Sequence, residues 1–226
     1  MKFSVIYQPT NLFSLKDSRS TNSGAKSLLI PSPYSIKMAL FNQAITIDGR
    51  EIFLGKESKE FAFIKDVKIA YRVSGSFCVN NCFVTIQSLR DGAYRGKPSF
   101  REYIYLSDSI EIIFEVMNEH AKHYLQKYLH RINYFGKRGC FFQFVGYRDN
   151  PSEPNVKEFD ATDFKPGILQ DFDEISLKAQ FKNIDNFDSA NAQRDKRILV
   201  IPVSLKNSSK AYSLYQVNSG DRQLDE

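Results

Sequence analysis

The apolar and polar positions along the chain alternate in blocks of changing period. Phe3 to Gln8 is rich in β-formers and predicts an opening strand. The polar run at 14–27, SLKDSRSTNSGAKS, combines Ser, Asn and Gly with Lys16, Arg19 and Lys26 and predicts a mobile basic loop. A helix start follows. Ser32 can accept a backbone N–H as N-cap, and Pro33 suits the first helical position, where its missing donor is harmless. Ile36, Ala39, Leu40 and Ala44 then recur on one face, which predicts a helix over about 33–46.

Residues 61–75 and 76–90 are rich in Val, Ile, Phe and Tyr and meet at Ser74-Gly75, so both are expected to be strands. RDGAYRGKP at 90–98 interrupts them with Gly92, Gly96 and Pro98 and reads as an exposed basic loop or hairpin tip. Residues 100–106 and 109–117 resume strand character, SIEIIFEV alternates almost strictly, and the two are expected to pair. Asn118 caps a second helix. Its apolar stripe is Ala121, Leu125, Tyr128, Leu129 and Ile132, which leaves His120, His123, Lys127 and His130 on the polar face. After Gly136 and Gly139 the chain re-enters a strand, CFFQFVGY. Strand, helix, strand, strand, helix, strand is the order of an α+β, ferredoxin-like (RRM-like) core, a frequent RNA-binding scaffold.

Residues 149–195 are acidic and broken by Pro151, Pro154 and Pro166, as expected of a peripheral extension. RILVIPVS at 197–204 and AYSLYQV at 211–217 predict a final hairpin around LKNSSK, with Pro202 suited to an edge strand or bulge. The last residues, NSGDRQLDE, are expected to be frayed. The chain thus divides into a core of residues 1–148 and a β extension of residues 149–226.

Composition narrows the function classes. A chain of 226 residues with 42% hydrophobic content has material for one large or two small folded units. No stretch approaches the roughly 20 apolar residues of a membrane helix, and MKFSVIYQPT does not resemble a signal segment, so a cytoplasmic protein with no membrane partner is expected. Three cysteines, Cys78, Cys82 and Cys140, argue against a disulfide framework. Cys78 and Cys82 lack the second close pair that zinc requires, and neither a metal nor a cofactor is expected. The net charge of +5 conceals opposite halves. Residues 1–148 hold 21 Lys and Arg against 12 Asp and Glu, a net +9, whereas residues 149–226 hold 10 against 14, a net −4. A basic body points to a polyanion, because Lys and Arg that neutralise phosphates release counterions.

The most suggestive local chemistry is YFGKRGCFF, where Gly136 and Gly139 bracket Lys137 and Arg138 between a helix and a strand. Glycine lets backbone N–H groups approach an anion without a Cβ in the way, and the cations neutralise it. An ordinary helix C-cap with solvated basic neighbours has the same pattern. The spacing is not that of a P-loop, which also opens a helix instead of following one.

Three blocks, taken in order, carry a family resemblance. LLIPSPYSIKMALFNQAI leads into the first helix; SFREYIYLSDSIEIIFEV holds Arg101, Glu102, Tyr103, Leu106 and Asp108; NYFGKRGCFF holds the glycine turn. Together they resemble the fifth Cas family of the RAMP superfamily, the subunit that caps the 5′ handle of crRNA in type I CRISPR Cascade complexes. The match spans roughly residues 30–145, with two extra residues before Leu106.

The resemblance implies a ferredoxin-like core with an inserted β-hairpin thumb, placed at about 79–105. It implies RNA contacts from Arg90, Arg95, Lys97 and Arg101 on the thumb, with Tyr103 beside them, and from Gly136, Lys137, Arg138 and Gly139 in the turn. Arg19 and Lys26 in the first loop and Lys37 in the first helix complete the candidate set. Such contacts position a backbone without reading its sequence. Implied partners are the crRNA 5′ handle, the backbone-forming and large subunits of Cascade, and target DNA through the complex.

Some members of that family also cut repeat RNA with a tyrosine near the end of the first helix and a Lys-His pair before the glycine turn. Lys122-His123-Tyr124 resembles the pair, but residues 44–48 read AITID, with no tyrosine. The expectation is a non-catalytic subunit. A metal-independent crRNA-processing endoribonuclease using Lys122 and His123 is the alternative, and another RNA-binding or scaffold protein on the same fold is a third reading.

Overall fold

The structure, a computed structural model, describes residues 1–17, 24–54, 58–184 and 193–218. Strand β1 (Lys2–Pro9) leads through helix α1 (Pro33–Asp48) and the short helix α2 (Lys59–Lys65) to β2 (Lys68–Val73). A long hairpin, β3 (Ser76–Arg90) and β4 (Ala93–Leu106), precedes β5 (Ile110–Glu115), α3 (Glu119–Leu129) and β6 (Phe142–Arg148). The central sheet has the order β2-β5-β1-β6 with every pair antiparallel. With the hairpin set aside, that is the strand order of a ferredoxin-like βαββαβ unit.

Period-two alternation explains the sheet. Phe3, Val5 and Tyr7 lie opposite Phe114, Ile112 and Ile110, which lie in turn opposite Ile69, Tyr71 and Val73, and all nine are buried. The helices cover this face, and the Tyr7 hydroxyl donates to the Leu129 carbonyl at 2.6 Å. Both helix starts follow their capping residues: Ser32 accepts from Ser35 N–H at 3.1 Å and Asn118 from Ala121 N–H at 2.9 Å. Among the described residues no helix is long and apolar enough to cross a membrane.

Several sequence expectations are corrected by tertiary packing. Residues 61–65 are helical rather than extended: Ser58 caps α2, Phe61 stacks on Phe41 at 5.5 Å, and Phe63 meets Tyr124 at 5.5 Å. The aromatic i, i+2 spacing resembles a strand, yet here it serves two different helices. Residues 100–106 and 109–117 do not pair with each other, because β4 pairs with β3 while β5 enters the central sheet between β1 and β2. The basic loop at 14–27 is anchored at both described ends: Leu15–Lys16 pairs with Ser27–Leu28, and Gly24–Ala25 pairs in parallel with Phe100 and Arg101.

The acidic stretch is not merely peripheral. Strand β7 (Ile168–Ile175) pairs along its length with β8 (Arg194–Ile201) and buries Phe172 and Ile175 in the same core as α1. Lys37, expected as an RNA contact, is drawn inside. Its ammonium meets Glu174 at 2.9 Å and donates to the Lys65 carbonyl at 2.6 Å, and the residue is 2% exposed. Burial pulls its pKa down, and Glu174 pulls it up less strongly. Lys37 therefore locks the extension onto α1 and does not belong to the surface set. The final hairpin pairs β9 (Val203–Ser208) with β10 (Tyr212–Val217); residues 197–201 belong to β8, and Pro202 marks the break. β10 adds to β3, so the C-terminal hairpin extends the sheet that carries the thumb.

On the other face of the central sheet Glu111 ties three strands to the segment after β6. It accepts from Ser4 Oγ at 2.6 Å, Ser152 N–H at 3.1 Å and Arg148 Nη1 at 3.2 Å. Burial pushes its carboxyl up, but these donors outweigh burial and hold the pKa below the ordinary value. A lowered folded-state pKa stabilises the protein above the unfolded value and ceases to do so as pH falls through the folded one. Glu111→Gln is expected to lower the urea-unfolding free energy by a constant amount from pH 8 to about 5, the gap closing below about pH 4. A gap independent of pH down to about 3 would refute the assignment.

Candidate nucleic-acid interface

The β3–β4 hairpin projects beyond its supporting strands. Its register runs without a slip from Phe77↔Leu106 to Arg90↔Ala93, and β10 accompanies β3 only as far as Asn80. Asp91 and Gly92, at φ 51 and 75, form the two-residue turn that such a hairpin needs. Directly opposed residues share a face. Arg95, Lys97, Arg101 and Tyr103 therefore fall on one face of the hairpin, opposite Ser88, Ile86, Cys82 and Asn80. Arg95 and Lys97 are exposed, Arg95 pairing loosely with Asp91 at 4.0 Å. Arg101 is half-buried and donates to the Phe100 carbonyl at 2.8 Å. Arg90 joins the hairpin at its last backbone pair, opposite Ala93.

The other face was not anticipated. Phe83, Leu89 and Tyr94 are 84%, 63% and 77% exposed, and Phe83 packs edge-on to Phe100 at 5.8 Å. The sequence carried no clear signal for it, because FVTIQSL places apolar residues on both faces of the strand, Phe83 and Leu89 on one and Val84 and Ile86 on the other.

The glycine turn is a tight connection held from within. Phe135 N–H donates to the Cys140 carbonyl at 3.2 Å, and Phe142 N–H to the Asn133 carbonyl at 3.0 Å. Phe135 and Cys140 are buried, whereas Lys137 and Arg138 are exposed at the tip. Gly136 and Gly139 sit at φ 68 and 101, where an L side chain is strained. Burial raises the Cys140 thiol pKa, and its Sγ donates to the Ser14 carbonyl at 3.3 Å, so it is a packing group and not a nucleophile.

Residues 13–16 and 24–28 join turn to thumb. Phe13 and Ile104 exchange backbone hydrogen bonds of 3.0 and 2.7 Å at the thumb base. Leu15 lies against Gly136, where an added Cβ would come within 3.2 Å of its Cδ2. Ser27 N–H donates to Glu102 at 2.8 Å, and Gly24–Ala25 lines the edge of β4. The exposed Lys26 thus sits between thumb base and turn. Arg19 lies outside the described residues. The role of Glu102 in this clasp had no local signature in the sequence.

Lys122 and His123, the pair of the endoribonuclease alternative, stand on α3. Lys122 is held by Asp149 at 2.9 Å and Glu119 at 3.6 Å, and the Asp149 hydrogen bond raises its pKa, the wrong direction for a base. His123 is exposed. At the end of α1, Asp48 receives the Lys127 ammonium at 2.6 Å and the hydroxyl of fully buried Tyr128. Burial raises the Tyr128 phenol well above its ordinary value and pushes Tyr124 up to about 12. Tyr128 thus joins α3 to α1, while the Tyr124 ring packs on Phe63 of α2. Among the described residues no three His, Cys, Asp or Glu side chains gather to hold a metal.

Comparisons with known proteins give distant likenesses only. No family model matches the chain, and no curated protein matches it. It is similar to a CRISPR protein from Archaeoglobus fulgidus, with 12% identity over 96% of this chain and 92% of that one and a TM-score of 0.38. A chain of a CRISPR RNA-guided surveillance complex aligns over 88% of each at 12% identity and a TM-score of 0.43. One from a type III-B Cmr-beta complex bound to cognate target RNA aligns over 94% of this chain and 86% of that one, at 10% and 0.44. All three scores are low, and the fold assignment rests on strand order and register instead.

The turn yields its own prediction. Gly136→Ala is expected to destabilise the protein by about 1–2 kcal/mol in urea unfolding, since a left-handed residue with a Cβ is strained. An unchanged midpoint would show that the turn relaxes freely and is not held by Leu15.

Proposed function

We propose that this chain is a non-catalytic subunit of a type I CRISPR Cascade effector complex that binds and caps the 5′ handle of crRNA and helps nucleate assembly. The observation that carries the reading is the clasp formed by residues 13–16 and 24–28, which links the cationic glycine turn to the base of a hairpin whose basic positions share one face. The order of the three sequence blocks supports the same assignment. In this reading Lys137, Arg138 and Lys26 hold handle phosphates while Arg95, Lys97 and Arg101 follow the backbone along the thumb. The apolar thumb face, with Phe83, Leu89 and Tyr94, meets the adjacent backbone-forming subunit. The large subunit is contacted through the outer surface.

Charge reversal of Lys137 and Arg138 is expected to weaken handle-RNA binding and to flatten its dependence on log salt by about 1.4, for two single-strand phosphates. Full affinity with an unchanged slope would overturn the phosphate grip. For the non-catalytic part, purified protein incubated with a repeat transcript is expected to leave it intact, and His123→Ala to behave identically. Cleavage that disappears in His123→Ala would establish the endoribonuclease instead.

A further inference from the structure

On the helical side of the molecule lies a cleft of about 1190 Å³ with no part in the proposed RNA surface. It is bounded by α1, the 3-10 turn Arg50–Phe53, α2 and the turn Phe181–Asn183, and no lining residue belongs to the thumb or to the glycine turn. Four phenylalanines form its floor. Phe41, Phe53, Phe61 and Phe181 pack on one another at centroid distances from 5.1 to 6.1 Å. Above them the exposed apolar surface is aliphatic, from Leu54 at 55% and Ile45 at 37% exposure.

Among the described residues, the charged side chains that line this cleft are all cationic. Arg50, Lys59 and Lys182 line it and are exposed, and none of the described lining residues is acidic. Lys65, the remaining cation, is already engaged by Asp66 at 2.9 Å and by the Leu177 carbonyl at 2.6 Å. An apolar groove with a one-sided cationic rim is complementary to an apolar ligand bearing negative charge.

Size and shape decide what kind of ligand that is. The volume exceeds the roughly 300–1,000 Å³ of ordinary small-molecule pockets, which favours a chain segment. Bases of single-stranded nucleic acid need open aromatic faces to stack on. Here Phe41 and Phe53 are each 1% exposed, and the other two rings are half-buried and packed against them. Aliphatic side chains inserted between Leu54 and Ile45, with carboxylates reaching the rim, satisfy both features. We propose that the cleft docks an acidic amphipathic segment of a partner protein, with leucine or phenylalanine anchors on one side and Asp or Glu beside them.

The test uses the full chain and a fluorescein-labelled synthetic peptide of leucines and glutamates in an i, i+3, i+4 amphipathic pattern, followed by fluorescence anisotropy. Saturable binding is expected, about tenfold or more weakened by Lys59→Glu/Lys182→Glu, both exposed positions, and weakened in high salt. Handle-RNA affinity of that variant is expected to be unchanged, which separates this site from the proposed RNA grip. The proposal is overturned if the peptide does not bind, if a version with lysine in place of glutamate binds equally well, or if the charge reversals leave affinity intact. Displacement of the peptide by a uridine decamer, lost in the same variant, would assign the cleft to nucleic acid and likewise overturn it.

Discussion

Two backbone hydrogen bonds between Phe13 and Ile104 connect the parts of this molecule that chain order keeps apart. Ile104 stands at the base of the thumb, Phe13 two residues before Leu15, and Leu15 against the glycine turn. The aromatic run Phe13, Phe142, Phe135 and Tyr7, with neighbouring centroids 5.0 to 5.2 Å apart, continues that connection into the central sheet. Burial of a large side chain contributes roughly 1.5–3 kcal/mol. That exceeds the backbone freedom lost at one or two glycines, so the turn stays fixed while its cations remain in water.

The thumb shows how a single register can separate two surfaces. Because β3 and β4 pair without a bulge, every basic position from Arg95 to Arg101 falls on one face, and Phe83, Leu89 and Tyr94 fall on the other. A slip of one residue would mix them. β10 stiffens only the proximal part of this hairpin. The acidic extension serves the core, where Glu174 receives the ammonium of Lys37 and also faces Arg197 at 3.7 Å. A buried pair of this kind is weak evidence for net stability, but it specifies which face of α1 the extension must cover.

Much of the fold was legible from local pattern. Ser32-Pro33 and Asn118 marked both main helices because a cap is a local hydrogen bond. SIEIIFEV marked β5 because alternation reflects a sheet with two unlike faces. Local pattern was silent on partners. The spacing of Phe61 and Phe63 matches a strand, and nothing near them in sequence shows that two helices lie on different sides of α2. Lys37 resembles a surface cation for the same reason: its partner Glu174 is 137 residues away in sequence.

By itself, then, the sequence determined the order of elements, the capped helix starts, the basic body and the cationic glycine turn, because each depends on neighbours within a few residues. Only the tertiary structure decided which cations face water, that residues 13–16 and 24–28 clasp thumb to turn, that Tyr128 of α3 donates to Asp48 at the end of α1, and that four phenylalanines from distant segments floor a cationic cleft. Those outcomes rest on contacts across long loops, and a single chain read in order carries no record of which distant groups will desolvate one another.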